Sequence, residues 1–334
     1  MHFKNVIGID VSKATFDLAL IKGEGFSTMK SADFENSRKG IIHLEEFIKM
    51  NGLKKNETLI CMEHTGIYCR LLSQYLTEQQ YHVWLEMPVQ IIRSLGLQRG
   101  KNDKVDARRI AEYAYQKRDQ AALWEPPREV LQKIHDLLAL RDRLCQARTM
   151  LNVPIQEYKQ CGFDETADMV KQKCKSTLAS LDKEIVKVEQ EIEKMINNDD
   201  NLNKKYSLVK SVPGIGKITA MFLLYYTNEF KQYHNAKQLA CYCGVAPFTH
   251  TSGTSVRGKT RVSNFANKQI KKLLHLAAMS AIRTDTELQA YFKRKVGEGK
   301  NAMSVLNAVR NKLILRICAV ISRGSAFQKD YQYA

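Results

Sequence analysis

The chain has 334 residues, 44% hydrophobic and 26% charged, with a formal net charge of +17. That length exceeds one small domain and suits two or three compact units. No apolar run approaches the roughly 18–20 residues that span a bilayer, residues 1–5 lack a signal-peptide pattern, and the eight cysteines form no CxxC pair; a soluble, cytoplasmic chain with reduced thiols and no structural zinc is expected.

In chain order, Val6-Ile7-Gly8-Ile9-Asp10-Val11 reads as a strand turning at Ser12-Lys13. Thr15 to Ile21 is a second strand, turning at Gly23-Glu24-Gly25, and residues 26–34 suit a third. A helix over 37–50, a buried strand from Thr58 to Glu63, a helix over 67–79 and a strand from Tyr81 to Glu86 follow. Three antiparallel strands and then alternating helix and strand is the order of an RNase H-like (RuvC-like) α+β fold.

Beyond it the period changes. Apolar residues recur every three or four places from Val130 to Leu151 and again from Leu178 to Ile196, as Leu178, Leu181, Ile185, Val188, Ile192 and Met195. Two such amphipathic helices form a coiled coil, paired with each other or across a dimer. The last third is mostly helical and basic: residues 201–334 hold 22 Lys/Arg against 5 Asp/Glu. An excess of that size repels itself unless a polyanion neutralises it, which favours nucleic acid over membrane. The expected domains are therefore 1–125, 126–200 and 201–334.

Within the last domain, Ser211-Val212-Pro213-Gly214-Ile215-Gly216-Lys217 joins two helical stretches. A Pro-Gly-x-Gly turn there resembles a helix-hairpin-helix, in which Gly214, Gly216 and Lys217 would meet a phosphate. The plain alternative is a helix cap without a ligand. Gly-x-Gly-Lys is too short for a Walker loop.

Four carboxylates carry the chemical argument. Asp10 ends the first strand and Glu63 the later one, and in an RNase H-like sheet those strands lie side by side. Asp103 and Asp106 are three apart on an expected helix and share a face. Four converging acids repel unless divalent cations hold them, and an all-oxygen donor set suits Mg²⁺ or Mn²⁺. Two such ions can activate a nucleophile and stabilise the leaving oxygen of a phosphodiester. In the last domain, residues 251–261 form a small-residue loop in which Ser252 and Ser255 precede Arg257, Lys259 and Arg261. These cations can clamp phosphate oxygens; by itself the loop could equally be a basic grip on a backbone.

These segments together resemble the IS110 family of insertion-sequence transposases, the DEDD transposases, related to site-specific DNA invertases. The resemblance rests on Ile9-Asp10-Val11-Ser12-Lys13, Glu63-His64-Thr65-Gly66 and Asp103-Lys104-Val105-Asp106-Ala107-Arg108, then on Pro213-Gly214-Ile215-Gly216, Gly244-Val245-Ala246-Pro247 and Ser252-Gly253-Thr254-Ser255-Val256-Arg257-Gly258. It implies a RuvC-like domain and a serine-bearing transposase domain joined by a coiled coil. Asp10, Glu63, Asp103 and Asp106 would bind Mg²⁺. Ser252 would attack the DNA backbone to give a phosphoserine intermediate, with Ser255 its local competitor. The resemblance further implies donor and target DNA as partners, a bridge RNA as guide in some members, and homodimers assembling into tetramers in which one subunit's carboxylates serve another's serine. An enzyme of this kind would work in the cytoplasm, on the nucleoid.

Other readings fit less well. A RuvC-like junction nuclease would use the same acids with water as nucleophile and would not need Ser252. An actin-like kinase expects a glycine-containing phosphate turn after Asp10, where Val11-Ser12-Lys13-Ala14 has none. A non-catalytic nucleic-acid scaffold would tolerate loss of Asp10 or Glu63.

Overall fold

The computed structural model of the chain describes residues 3–23, 25, 29–94, 102–233, 235–252, 256–263 and 266–329, with backbone alone at 93, 249–252 and 256–260. Two compact units result, Met1–Pro126 and Pro127–Ala334. No helix among the described residues is long and apolar enough to cross a membrane.

The first unit is built on five strands: β1 (Asn5–Val11), β2 (Thr15–Lys22), β3 (Met29–Glu35), β4 (Thr58–Glu63) and β5 (His82–Glu86). Their order in the sheet is β3-β2-β1-β4-β5. The first three are antiparallel to one another, while β4 runs parallel to both β1 and β5. This mixed sheet with helices is the expected RNase H-like arrangement. Central β1 and β4 are buried along nearly their whole length, as their unbroken apolar runs require, whereas edge strand β3 is exposed or half-exposed throughout. The third strand, expected over 26–34, runs from Met29 to Glu35, and residues 26–28 lie outside the described residues.

Four helices cover this sheet: α1 (Arg38–Met50), α2 (Ile67–Glu78), α3 (Pro88–Ser94) and α4 (Asp103–Lys117). Ile41, Leu44 and Ile48 of α1 and Leu72 and Leu76 of α2 share a core with Ile7, Ile9, Phe16, Leu18 and Leu20. On the opposite face, Ile110, Tyr113 and Ala114 of α4 pack with Val6, Leu59, Cys61 and Trp84, and Ala107 and Ala111 with Ala19 and Ile21.

The second unit begins with two long helices, α5 (Glu129–Gln160) and α6 (Asp164–Asn197), reversed at Gly162, where φ is +80°. Ion pairs Arg141–Glu189 at 2.6 Å, Arg148–Asp182 at 2.9 Å and Lys159–Asp168 at 3.8 Å climb towards the tip in antiparallel register. Within this chain, then, the two amphipathic stretches pair with each other. The second is longer than its apolar repeat suggests: it starts at Asp164, not Leu178, because Lys- and Gln-rich sequence without a regular apolar stripe continues the helix once α5 lies alongside.

Six further helices and a hairpin among the described residues complete this unit: α7 (Asp200–Lys210), α8 (Lys217–Tyr226), α9 (Ala236–Tyr242), β6 (Pro247–Ser252), β7 (Val256–Val262), α10 (Lys268–Thr284), α11 (Thr286–Gly297) and α12 (Ala302–Arg323). Leu131, Ile134 and Leu138 of α5 and Ile192 and Ile196 of α6 join the core that α7 to α12 build. Toward the tip of the long pair, Met150, Phe163 and Met169 are exposed. At the start of the unit, Arg128 donates to Asp199 and to Glu229, a fully buried carboxylate that also accepts from Lys205 at 3.1 Å.

Candidate active site

Successive strand residues face opposite sides of a sheet. Ile7, Ile9 and Val11 point at α1 and α2, so Gly8 and Asp10 point at α4. The same parity puts Asp17 of β2, Glu63 of β4 and Glu86 of β5 on the α4 side, because Leu18, Met62 and Val83 belong to the α1 and α2 core. Register then aligns them: Asp33 lies opposite Asp17, Asp17 opposite Asp10, and Glu63 opposite Glu86. Ile9 pairs with Met62, so Asp10 and Glu63 are the next step along those two strands. A row of five carboxylates, Asp33, Asp17, Asp10, Glu63 and Glu86, thus crosses the sheet at one end.

Helix α4 brings two more. Its backbone lies directly on Gly8: a Cβ there would sit 2.2 Å from Ala111 N and 2.5 Å from Ala107 O. One turn before Ala107, the Asn102 side chain accepts from Val105 N at 2.8 Å and starts the helix, leaving Asp103 and Asp106 in its first turn. The positive end of the helix dipole favours acids at that position.

The outer members of the row are tied down. Lys104 pairs with Asp33 at 3.5 Å, and Glu86 accepts from Tyr113 Oη at 2.9 Å and from Met87 N at 2.7 Å. Asp10 and Asp17 are crowded by other acids. Burial first, then the charges of Asp106, Asp103 and Asp17, push the Asp10 carboxyl up to about 6, against a hydrogen bond from Val11 N–H. Asp17 is raised by its burial and then by Asp103 and Asp33, with Lys104 opposing. Arg109 donates to Asp106 at 2.7 Å. The oxygen-only donors and their mutual repulsion fit a hard divalent cation. They are not drawn into a closed cage: among the described residues no three His, Cys, Asp or Glu side chains are gathered as ligands of an ion. Sequence reasoning missed Asp17, Asp33, Glu86 and Arg109. The signal for the first was the tight Ser12–Thr15 turn, which sets Asp10 opposite Asp17.

In the second unit, Ser252 is the last residue of β6, its backbone opposite Val256, and Arg257 is opposite Thr251. The register shifts between the Phe248 and His250 pairs, so alternation along β7 breaks between Gly258 and Arg261. Arg261 is exposed. The side chains of Ser252, Arg257 and Lys259, and the whole of Ser255, lie outside the described residues. The turn at 211–216 does link two helices. Gly214 has φ +89°, and a Cβ on it would meet Ala277 O and the Ala281 Cβ of α10 at 2.6 Å, so close helix packing accounts for this glycine. Gly216 is exposed and faces open space. Lys217 pairs with Glu189 at 3.0 Å and Glu193 at 3.5 Å on α6, which compensates its charge.

Comparison with known proteins agrees along the length of the chain. A family model described as transposase, of the DEDD IS110 type, matches residues 7–158, and the model of the transposase IS116/IS110/IS902 family matches residues 206–293. The pilin gene-inverting protein of Moraxella lacunata is 28% identical over 98% of both chains. The transposase for insertion sequence element IS1111A of Coxiella burnetii is 24% identical over 68% of each. A solved RuvC structure from Thermus thermophilus, 15% identical, covers 36% of this chain and 98% of its own at a TM-score of 0.25.

Proposed function

Because this chain belongs to the IS110 family of transposases, enzymes that break and rejoin DNA, we propose that it recombines an insertion sequence through a carboxylate site in its first unit and a serine in its second. Inversion of a DNA segment, as the name of the Moraxella relative describes, is the same chemistry with both junctions on one molecule. The observation that carries the reading is the half-buried Asp10, made basic by burial and by Asp106, Asp103 and Asp17.

Asp10, Glu63, Asp103 and Asp106 would hold divalent cations, Mg²⁺ or Mn²⁺. Bound there, such ions supply the positive charge that a phosphoryl group needs as its ester bond breaks. Asp106 is shared with Arg109, so the guanidinium must yield when a cation arrives. Ser252 Oγ attacks phosphorus, one P–O ester bond breaks as the new P–O bond to serine forms, and the proton given up by the serine hydroxyl ends on the departing deoxyribose oxygen. A hydroxyl from the second DNA end then reverses the step, so rejoining conserves the ester and needs no ATP. Arg257, Lys259 and Arg261, with the amides near Gly216, would grip the backbone around this step.

Ser252→Ala tests the reaction type. Strand exchange and the covalent protein–DNA adduct should both vanish, a loss of at least about 10³-fold, while metal-dependent binding persists. Undiminished cleavage by this variant would assign water as the nucleophile and make the enzyme a junction nuclease. The assembly implied for the family is a homodimer that becomes a tetramer on donor and target DNA in the bacterial cytoplasm, with a bridge RNA pairing to both. Sequencing the RNA that copurifies should return one short species encoded beside the gene; ribosomal background alone would remove the guide.

A further inference from the structure

Arg310 on α12 is 8% exposed, yet among the described residues it makes no ion pair with a carboxylate. Its terminal nitrogen lies 2.8 Å from His275 Nδ1 on α10, and its Nε is buried with no partner among the described residues. The acids of residues 201–334 are committed elsewhere. Glu229 is held by Arg128 and Lys205, Asp285 and Glu287 by Arg316, and Glu298 by Lys295; Asp330 lies outside the described residues. A buried guanidinium cannot shed its proton, and leaving it without a counter-charge opposes folding.

Its hydrogen-bond partner among the described residues, His275, defines the chemistry further. Arginine carries no acceptor, so His275 Nδ1 must accept, which makes the imidazole neutral with its proton on Nε2. Burial and the adjacent guanidinium both hold the His275 pKa down, consistent with that state. Arg310 and His275 Nε2 then both present donors. Lys271, one turn before His275 on the same side of α10, adds an ammonium; its Nζ lies 3.5 Å from the Cβ position of Gly244. Asn307, one turn before Arg310, donates to Val245 O at 2.8 Å. The donors therefore converge beneath the Gly244–Val245 turn, which leads directly into β6 and, at its end, Ser252.

We propose that Arg310, His275 Nε2–H and Lys271 form a binding site for one phosphate oxyanion of the DNA backbone, at the foot of the hairpin that carries Ser252. This goes beyond the proposed reaction, because it requires neither the carboxylates nor the serine. The phosphate supplies the missing counter-charge and the missing acceptor together.

The test compares duplex DNA binding and thermal unfolding of the wild-type chain and Arg310→Met. Removing an uncompensated buried charge in favour of an apolar stem should leave Tm equal or higher. DNA affinity should fall by about 10- to 100-fold, and the slope of log K against log salt should become shallower by about 0.9. Lys271→Ala, at a half-exposed position, should lower the slope similarly without touching the core. Unchanged affinity and slope in both variants would overturn the site, as would a Tm several degrees lower for Arg310→Met, the mark of an arginine held by the chain itself. Inorganic phosphate should raise the Tm of the wild type and not of Arg310→Met. If it does so while DNA affinity is the same for both, the pocket takes a free anion and the DNA assignment fails. Ser252→Ala must bind like the wild type, so failure of the serine chemistry remains distinguishable.

Discussion

Gly8→Ala is expected to abolish recombination and to lower the Tm of the first unit by about 10 °C. The added methyl would stand 2.2 Å from Ala111 N, 2.5 Å from Ala107 O and 2.6 Å from Ala111 Cα, all backbone atoms of α4 or its axis. No rotamer change relieves such a collision, so the helix must lift or β1 must bow. Overpacking of this severity costs about 3 kcal/mol or more, and for a unit of this size each kcal/mol is about 3–5 °C. The functional loss follows from geometry: Asp103 and Asp106 ride on α4 and Asp10 on β1, two residues from the altered glycine. A displacement of about 1 Å in a reacting constellation removes roughly 10²-fold in rate. Calorimetry and a strand-exchange assay check the two parts. A variant with wild-type Tm and activity would mean that α4 does not rest on Gly8.

Asp10→Asn is expected to do the reverse to stability while being at least as damaging to activity. The Asp10 carboxyl sits at about 6 in the folded chain against 3.8 as its ordinary value. Since the folded value is the higher one, the contribution to stability is complete below about pH 4 and is lost as pH rises through about 6. At neutral pH the ionised group therefore opposes folding of the metal-free protein. Two pK units correspond to about 2.7 kcal/mol, and partial exposure to solvent reduces this to about 1 kcal/mol. The neutral amide removes that repulsion, so the metal-free variant should unfold a few degrees higher than the wild type at pH 7.5, with the gap closing near pH 4. Added Mg²⁺ or Mn²⁺ should raise the wild-type Tm and leave the variant unmoved, with strand exchange down by about 10³-fold or more. Equal metal-induced shifts in the two proteins would remove Asp10 from the cation site.

The two predictions oppose each other because they probe different parts of one arrangement. Gly8 is a packing position whose only virtue is the missing side chain. Asp10 is an electrostatic position that the fold tolerates at some cost in stability. A site retained for chemistry is expected to show that second sign.

Much of the first unit was legible from local pattern. Period-2 alternation and turn residues located the strands, and the Asp10 and Glu63 strand ends stood out because acids interrupt otherwise apolar runs. In the second unit the apolar stripe of Leu178 to Met195 marked a helix but not its start, since residues 164–177 lack a stripe and are helical only against α5. Gly214 read as a phosphate turn, yet its φ of +89° and its contact with Ala277 and Ala281 answer to packing. Lys217 was expected to meet a phosphate, and in the structure it pairs with Glu189 and Glu193 of α6.

By itself the sequence determined the element order, the basic last third and the residue types able to hold a cation or attack phosphorus, because those depend on neighbours within a few positions. The tertiary structure alone decided that Asp33, Asp17, Asp10, Glu63 and Glu86 form one row, that α4 settles on Gly8, and that Arg310 is buried beside the His275 imidazole. Register between strands and close approach of helices are set by side chains far apart in the chain, and a one-residue slip would turn every acid to the other face of the sheet.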